Sequence, residues 1–264
     1  MFKKFFGEVK SLNLSEKLLL LLIFVLPFER IPSFEVAGFT LKLSLFFGLA
    51  LLLSLIRDVF NKKIALNLKN YVLGSKWLFL PLGILLYSLI GILWVENVSY
   101  WLKANVALGF SIAVFYASFL VFANLAEDKM CRERLLSLTL RTVMLSAGLI
   151  LAFGFFQWFG DLAGLGSNIT GIRNLYDADR LGLPRMHSTL LEPMWMGIYL
   201  LLPLSLLIAD KKAMILKSQV WRLAMIGSIL LAILLGLSRG AIAVSALVSL
   251  VGLKHNYYEI KDAT

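Results

Sequence analysis

A short polar stretch, Leu181–Gly197, carries most of the side chains that could do chemistry in an otherwise apolar chain. It contains Arg185, His187 and Glu192 within eight positions. A guanidinium offers a rigid fork of donors that matches a phosphate and stays charged at any working pH. A histidine or a carboxylate can act as a general base. The stretch therefore predicts an anion-binding site with a candidate base beside it.

A second cation, Arg239, lies between two apolar runs near 220–237 and 241–253. A charged side chain confined between such runs needs water, a lipid headgroup or a ligand as its partner. If the turn around Arg239 meets the stretch around Arg185, the two arginines would form a cationic pocket suited to a phosphate or pyrophosphate. Two further arginines from the loop before Arg185 could join this pocket, Arg173 and Arg180.

Each of these residues also has a structural explanation. Thr189 and Glu192 have the spacing of a capping box, which would start a helix with Pro193 in its first turn. His187 is a single histidine in a polar loop, and such histidines more often have no catalytic role. The arginines could reach lipid phosphates instead. They could also pair with an acid, and the candidates are Glu192, Glu96 and Asp161.

The sequence contains no motif for a metal site or a nucleotide-binding loop. No group of His, Cys, Asp and Glu has the spacing of metal ligands, and no glycine-rich phosphate loop is present. The single cysteine, Cys131, excludes an internal disulfide. The sequence therefore predicts a site without a metal or a cofactor.

The composition predicts a membrane protein. Of the 264 residues, 59% are hydrophobic and only 16% are charged, and the mean hydropathy is +0.83. A soluble core could not bury so much apolar surface, so the bilayer is the expected solvent. We expect an all-α transmembrane bundle of about eight spans, forming a single domain over residues 1–264. The expected spans are 18–28, 43–56, 77–95, 104–125, 142–159, 190–209, 220–237 and 241–253.

The basic residues indicate how these spans are oriented. Nineteen of the 26 Lys and Arg, with nine acids, lie in the two tails and in alternate loops, whereas the other loops hold seven of each sign. The formal charge of +10 therefore falls on one side, as the positive-inside rule requires. We expect a multi-pass membrane protein with a cytoplasmic N-terminus and an extracytoplasmic loop over 160–190. In a nucleic-acid-binding protein the basic residues would cluster on one face of the fold, whereas here they follow alternate loops. We therefore expect no nucleic-acid partner.

Two segments allow more than one interpretation. Residues 1–17 place Phe2, Phe5, Phe6 and Val9 at helical spacing with lysines between them, which favours a short helix on the membrane surface. A disordered basic tail is the alternative. Residues 220–253 could form two spans or one helix of ~50 Å, against ~30 Å of hydrocarbon. We favour two spans with a turn at 238–240, because one helix would place its arginine near the bilayer centre.

Two motifs, in this order, resemble those of the O-antigen ligase and O-antigen polymerase superfamily. The first is Arg185-x-x-Ser188-x-x-x-Glu192-Pro193-x-x-x-Gly197, at the start of an apolar run. The second is Leu235-Gly-Leu-Ser-Arg-Gly-Ala-Ile-Ala, one span later. The Leu-Pro-Phe at 26–28 is also similar. The architecture is similar over nearly the whole chain, and the motifs over these short segments.

The resemblance implies a glycosyltransferase of the bacterial inner membrane, acting in lipopolysaccharide or surface-polysaccharide biosynthesis. Such enzymes ligate or polymerise glycans carried on polyprenyl pyrophosphate, at the outer face, onto a glycan or lipid acceptor. No cofactor is implied, and membrane lipid surrounds the protein. The implied residues are Arg185, Arg239 and Arg180 for pyrophosphate, Ser188, Ser238 and Gly240 in support, and His187 or Glu192 as the catalytic base.

The chain departs from the family after the second motif. Members are usually longer, with further spans and a large outer loop that often supplies a functional histidine. Residues 254–264 carry no such loop, so we expect the N-terminal part of a longer architecture or a reduced relative. Two other functions remain open. One is a transporter or flippase that binds an anionic lipid-linked glycan without chemistry, and the other is a non-catalytic assembly subunit.

Overall fold

The computed structural model describes residues 2–28, 33–36, 39–61, 76–124, 129–171, 184–190, 192–210 and 218–262. These residues are predominantly helical, which confirms the helical fold class expected from the sequence. The helices, in chain order, are α1 (Phe2–Lys10), α2 (Leu14–Val25), α3 (Leu43–Phe60), α4 (Leu80–Ile90), α5 (Val98–Asn124), α6 (Lys129–Leu162), α7 (Gly166–Thr170), α8 (Pro193–Ala209), α9 (Gln219–Leu235) and α10 (Arg239–Asp262). Two 3-10 segments, Lys76–Phe79 and Gly91–Leu93, flank α4.

One short β-hairpin lies within this predominantly helical chain. Strand β1 (Ser33–Val36) pairs antiparallel with β2 (Phe39–Lys42). The register places Ser33 opposite Lys42 and Val36 opposite Phe39. Only two residues, Ala37 and Gly38, separate the strands in the sequence, a length typical of hairpin turns. A search for long apolar runs overlooks strands of four residues.

Within the part of the chain that the structure describes, three helices are long and apolar enough to cross a membrane, namely α3, α5 and α6. Four further apolar helices are shorter, namely Leu80–Leu93, Pro193–Ala209, Gln219–Leu235 and Arg239–Val251. The long helices give the chain the character of a membrane protein. The number of spans and the side of the N-terminus stay predictions.

Several helix bounds differ from the apolar runs that predicted them. Helix α6 begins at Lys129, so the loop expected over 126–141 is wrong from that residue onward. Lys, Arg and Glu are good helix formers, and a helix can therefore continue well past its apolar part. Helix α5 begins at Val98, where the Asn97 Oδ1 atom accepts the backbone N–H of Tyr100 at 3.0 Å. Hydropathy located these helices but could not locate their polar ends.

The question of one helix or two over 220–253 is settled in favour of two. Helix α9 ends at Leu235 and α10 begins at Arg239. The turn covers residues 236–238 instead of the predicted 238–240, so Arg239 is the first residue of a helix. Leu237 takes a left-handed conformation in this turn, with φ of 51°.

The chain divides into two compact units. The first comprises Met1–Leu22 and Leu45–Leu136, and the second comprises Ile23–Ser44 and Ser137–Thr264. In the first unit Gly48 of α3 faces the Phe110 ring of α5, and a Cβ added there would lie 3.0 Å from the ring. In the second unit α8 packs against both α9 and α10. Their shared core includes Met196, Leu200, Ile229 and Ile233, all at most 1% exposed.

Candidate functional site

The candidate site is built around the non-helical segment 184–190 in the second unit. Every residue of this segment is buried except Arg185, which is half-buried. A buried segment outside regular structure must find hydrogen-bond partners for its backbone. Those partners come from α6 on one side and from the turn between α9 and α10 on the other.

One face of α6 holds the segment. Ser188 Oγ donates to the Ile150 carbonyl at 2.7 Å, and Gln157 Nε2 donates to the Ser188 carbonyl at 3.3 Å. Trp158 Nε1 donates to the Pro184 carbonyl at 3.0 Å. Gly154 lies against Met186, because a Cβ added at Gly154 would meet its sulfur at 2.9 Å. Positions 150, 154, 157 and 158 share one side of a helix, so α6 forms a continuous cradle.

The turn between α9 and α10 holds the segment from its other side. The Met186 backbone N–H donates to the Leu235 carbonyl at 3.2 Å. Arg185 Nε and Nη2 each lie 3.4 Å from the Gly236 carbonyl, to which they donate. The contact between the two arginine-bearing segments, on which the predicted pocket depends, is therefore present. Arg239 follows three residues after Gly236, and its side chain is exposed.

The predicted capping box at Thr189 and Glu192 is wrong. Helix α8 begins at Pro193, and Glu192 itself is the N-cap residue, without a side-chain capping bond. Thr189 Oγ1 instead donates to the Pro27 carbonyl at 2.9 Å, a contact between residues far apart in the sequence. Pro193 does occupy the first helical position, as predicted. Glu192 is half-buried, and its carboxylate makes no capping bond.

His187 and Ser188 form the most constrained part of the segment. Both are 0% exposed, and Ser188 takes a left-handed φ of 55°. His187 Nδ1 lies 3.1 Å from the Ser188 carbonyl. Because a carbonyl oxygen only accepts, this contact favours the tautomer with its proton on Nδ1. In that tautomer the imidazole donates to the Ser188 carbonyl, which also accepts the bond from Gln157.

The remaining predicted residues have varied positions. Ser238 is buried, and its carbonyl accepts the Ile242 N–H at 2.9 Å, which starts α10. Gly240 is exposed, and a Cβ built on it has no atom within 4 Å. Arg173 and Arg180 lie outside the described residues. Among the residues that the structure describes, no three His, Cys, Asp or Glu side chains gather as a metal-binding group.

Sequence reasoning missed the contribution of α6. Gln157 is fully buried, and its Oε1 atom has no hydrogen-bond partner within the described part of the chain. A glutamine inside an apolar helix is a recognisable signal, since buried polar side chains in such helices are expensive and tend to be functional. Trp158 gives a weaker signal, because tryptophan is common at membrane interfaces for other reasons.

The chain was compared with protein families, curated proteins and solved structures. No family model, curated protein or solved structure matches the chain.

Proposed function

We propose that this chain is a multi-pass membrane glycosyltransferase that ligates or polymerises glycans carried on polyprenyl pyrophosphate, at the outer face of a bacterial inner membrane. The proposal is carried by the bond from Arg185 to the Gly236 carbonyl, which holds the first motif against the second. The bond from the Met186 N–H to the Leu235 carbonyl joins the same two segments.

The electrostatics of this contact suit a pyrophosphate. The two Arg185 donor distances of 3.4 Å to the Gly236 carbonyl are longer than usual hydrogen bonds. Phosphate oxygens would form shorter, charge-assisted bonds with the same fork of donors. Arg239 opens α10, whose first N–H groups carry a positive partial charge that also favours an anion.

The proposed reaction is a displacement at the anomeric carbon of the donor glycan. An acceptor hydroxyl oxygen forms the new bond to that carbon, while the bond from the carbon to the phosphate oxygen breaks. The lipid pyrophosphate leaves with the electron pair, and Arg185 and Arg239 stabilise its charge. The hydroxyl proton passes to a base.

Glu192 is the better base of the two predicted candidates. Its side chain is half-buried at the start of α8 and serves no capping bond. His187 is fully buried, with Nδ1 facing the Ser188 carbonyl. We therefore assign the base to Glu192 and give His187 the role of supporting the turn at Ser188.

The test is transfer by the full chain reconstituted in membranes with a polyprenyl-pyrophosphate-linked glycan. We expect Arg185→Ala and Arg239→Ala each to abolish lengthening or transfer of the glycan while membrane insertion is unchanged. Arg222→Ala is the matched control, because Arg222 also donates to a backbone carbonyl, that of Asp210 at 2.8 Å. Normal transfer by either of the first two variants would overturn the proposal.

The same experiment separates the alternatives. Movement of an unaltered lipid-linked glycan across the bilayer, with no change in its length, would identify a transporter that uses the arginines for binding alone. Intact glycan display in cells that carry both Arg→Ala variants would identify an assembly subunit without chemistry.

A further inference from the structure

One end of the first unit brings together two basic segments that the proposed reaction does not use. Arg134 Nη2 of α6 donates to the Glu8 carbonyl near the end of α1 at 2.6 Å, and it also donates to Ser11 Oγ. These bonds hold α1 against the first turns of α6. Residues 2–17 and 129–134 are called the basic end below.

The basic end carries an excess of positive charge. Its cations are Lys3, Lys4, Lys10, Lys17, Lys129, Arg132 and Arg134, and its acids are Glu8, Glu16 and Glu133. Lys10, Lys129 and Arg132 are exposed. Glu16 Oε2 already accepts the Asn13 N–H at 2.9 Å in the capping box that starts α2. Seven cations against three acids give these segments a net charge of +4, and the adjacent Glu127 and Asp128, which lie outside the described residues, lower it to +2.

Large apolar side chains are exposed beside these cations. Met130 is 78% exposed in the first turn of α6. Phe60, at the end of α3, is 82% exposed. That end of α3 lies beside the start of α2, because Asp58 accepts a hydrogen bond from Ser15 at 2.7 Å. Exposed apolar groups interleaved with lysine and arginine are typical of surfaces that lie at the boundary between headgroups and acyl chains.

We propose that the basic end binds the anionic phospholipid headgroups of the surrounding bilayer. The charge excess attracts the headgroups, and Met130 and Phe60 enter the acyl boundary beneath them. Arg134 is a positioning residue, since it fixes the end of α1 against the first turns of α6. A nucleic acid would also be attracted to the cations, but it offers no apolar layer for Met130 and Phe60.

Hydrogen–deuterium exchange of the full chain in nanodiscs tests the proposal. One set of discs contains phosphatidylcholine alone, and the other contains equal parts of phosphatidylcholine and phosphatidylglycerol. We expect the amides of α1 to exchange roughly fivefold more slowly in the anionic discs, the ratio expected from a single lysine contact near the surface. Raising the salt concentration should reduce the difference, because these charges are exposed.

Two matched triple variants and one distant control identify the residues responsible. Lys10→Gln with Lys129→Gln and Arg132→Gln should abolish the difference between the discs. Lys10→Arg with Lys129→Arg and Arg132→Lys keeps the charge and should retain it. Lys103→Gln should also retain it, because Lys103 lies 21 residues before the end of α5, about 30 Å along the helix axis. Circular dichroism checks that each variant is folded.

Three results would overturn the inference. The first is equal exchange of α1 in the two kinds of disc. The second is full protection in the neutralised triple variant, which would exclude the named cations. The third is stronger protection by a duplex oligonucleotide than by phosphatidylglycerol, which would identify a nucleic acid as the ligand. None of these results depends on glycan transfer.

Discussion

Gly197 of α8 lies so close to Ala241 of α10 that a Cβ added at Gly197 would overlap the Ala241 Cβ. The same added atom would lie 3.8 Å from the Ser238 Cβ. Small residues at such crossings let two helix backbones approach closely, which matters in membranes because association depends on packing. The contact joins the last residue of the first motif to Ala241, which belongs to the second motif.

We expect Gly197→Ala to destabilise the second unit by roughly 1–3 kcal/mol, the usual cost of inserting a methyl group into a packed interior. The added Cβ must push α8 away from α10, which moves Glu192 and the Ser238 turn apart. The free energy of unfolding, measured by denaturant titration in mixed micelles, checks the size of the effect.

Gly227→Ala is the control for this change. Gly227 lies inside α9, and a Cβ built there has no atom within 4 Å. Alanine is the better helix former, so this variant should be more stable by about 0.5–1 kcal/mol. Equal effects of the two substitutions would mean that α8 and α10 are not in close contact.

Two substitutions of Ser188 should distinguish the contribution of its hydrogen bond to the unfolding free energy from the cost of its backbone strain. Ser188→Ala and Ser188→Gly both remove the bond to the Ile150 carbonyl, at a cost of about 1 kcal/mol. Glycine alone relieves the left-handed φ of 55°, worth roughly 1 kcal/mol. We therefore expect Ser188→Gly to be close to the wild type in unfolding free energy and Ser188→Ala to be less stable. The reverse order would show that this backbone conformation is not strained.

The sequence predicted the helices well because their signal is local. Apolar runs placed α3, α8 and α9 within a few residues of their observed bounds. The polar first turns of α6 were missed, since hydropathy reports the environment of a helix and not its hydrogen bonding. The hairpin was missed because a four-residue strand is too short to show the alternation of apolar and polar residues that indicates a strand.

The candidate site was predicted only in part, and the capping box shows why. The same spacing occurs at Asn13 and Glu16, where Asn13 Oδ1 accepts the Glu16 N–H at 2.8 Å and a true capping box forms. At Thr189 the hydroxyl finds the Pro27 carbonyl instead. A local pattern cannot include a partner 162 residues away, and the α6 cradle was missed for the same reason.

The buried polar cluster of the first unit gives another prediction. Ser15 Oγ donates to Asp58 Oδ2 at 2.7 Å and lies 2.8 Å from Ser54 Oγ. Because the carboxylate only accepts, Ser15 uses its single proton on Asp58 and must accept the proton of Ser54. Ser15→Ala breaks both bonds and should lower the unfolding free energy by about 1–3 kcal/mol, since it leaves a buried carboxylate short of a donor.

Ser111→Ala is the control for the polar cluster. Ser111 is exposed and donates only to the Ala107 carbonyl of its own helix, at 2.9 Å. Its loss should change the unfolding free energy by less than about 0.5 kcal/mol. A comparable loss in both variants would mean that the cluster does not join α2 to α3.

The geometry of Arg185 gives the sharpest prediction for the proposed reaction. Arg185→Lys keeps the positive charge but replaces the planar fork with a single point charge, which cannot bind two phosphate oxygens in parallel. We expect the rate of glycan transfer to fall roughly 10- to 100-fold, equivalent to about 1.4–2.7 kcal/mol of lost transition-state stabilisation. Arg222→Lys should leave the rate unchanged, since Arg222 supports the Asp210 carbonyl away from the two motifs. A wild-type rate for Arg185→Lys would mean that charge alone suffices and that Arg185 does not bind the pyrophosphate through its fork.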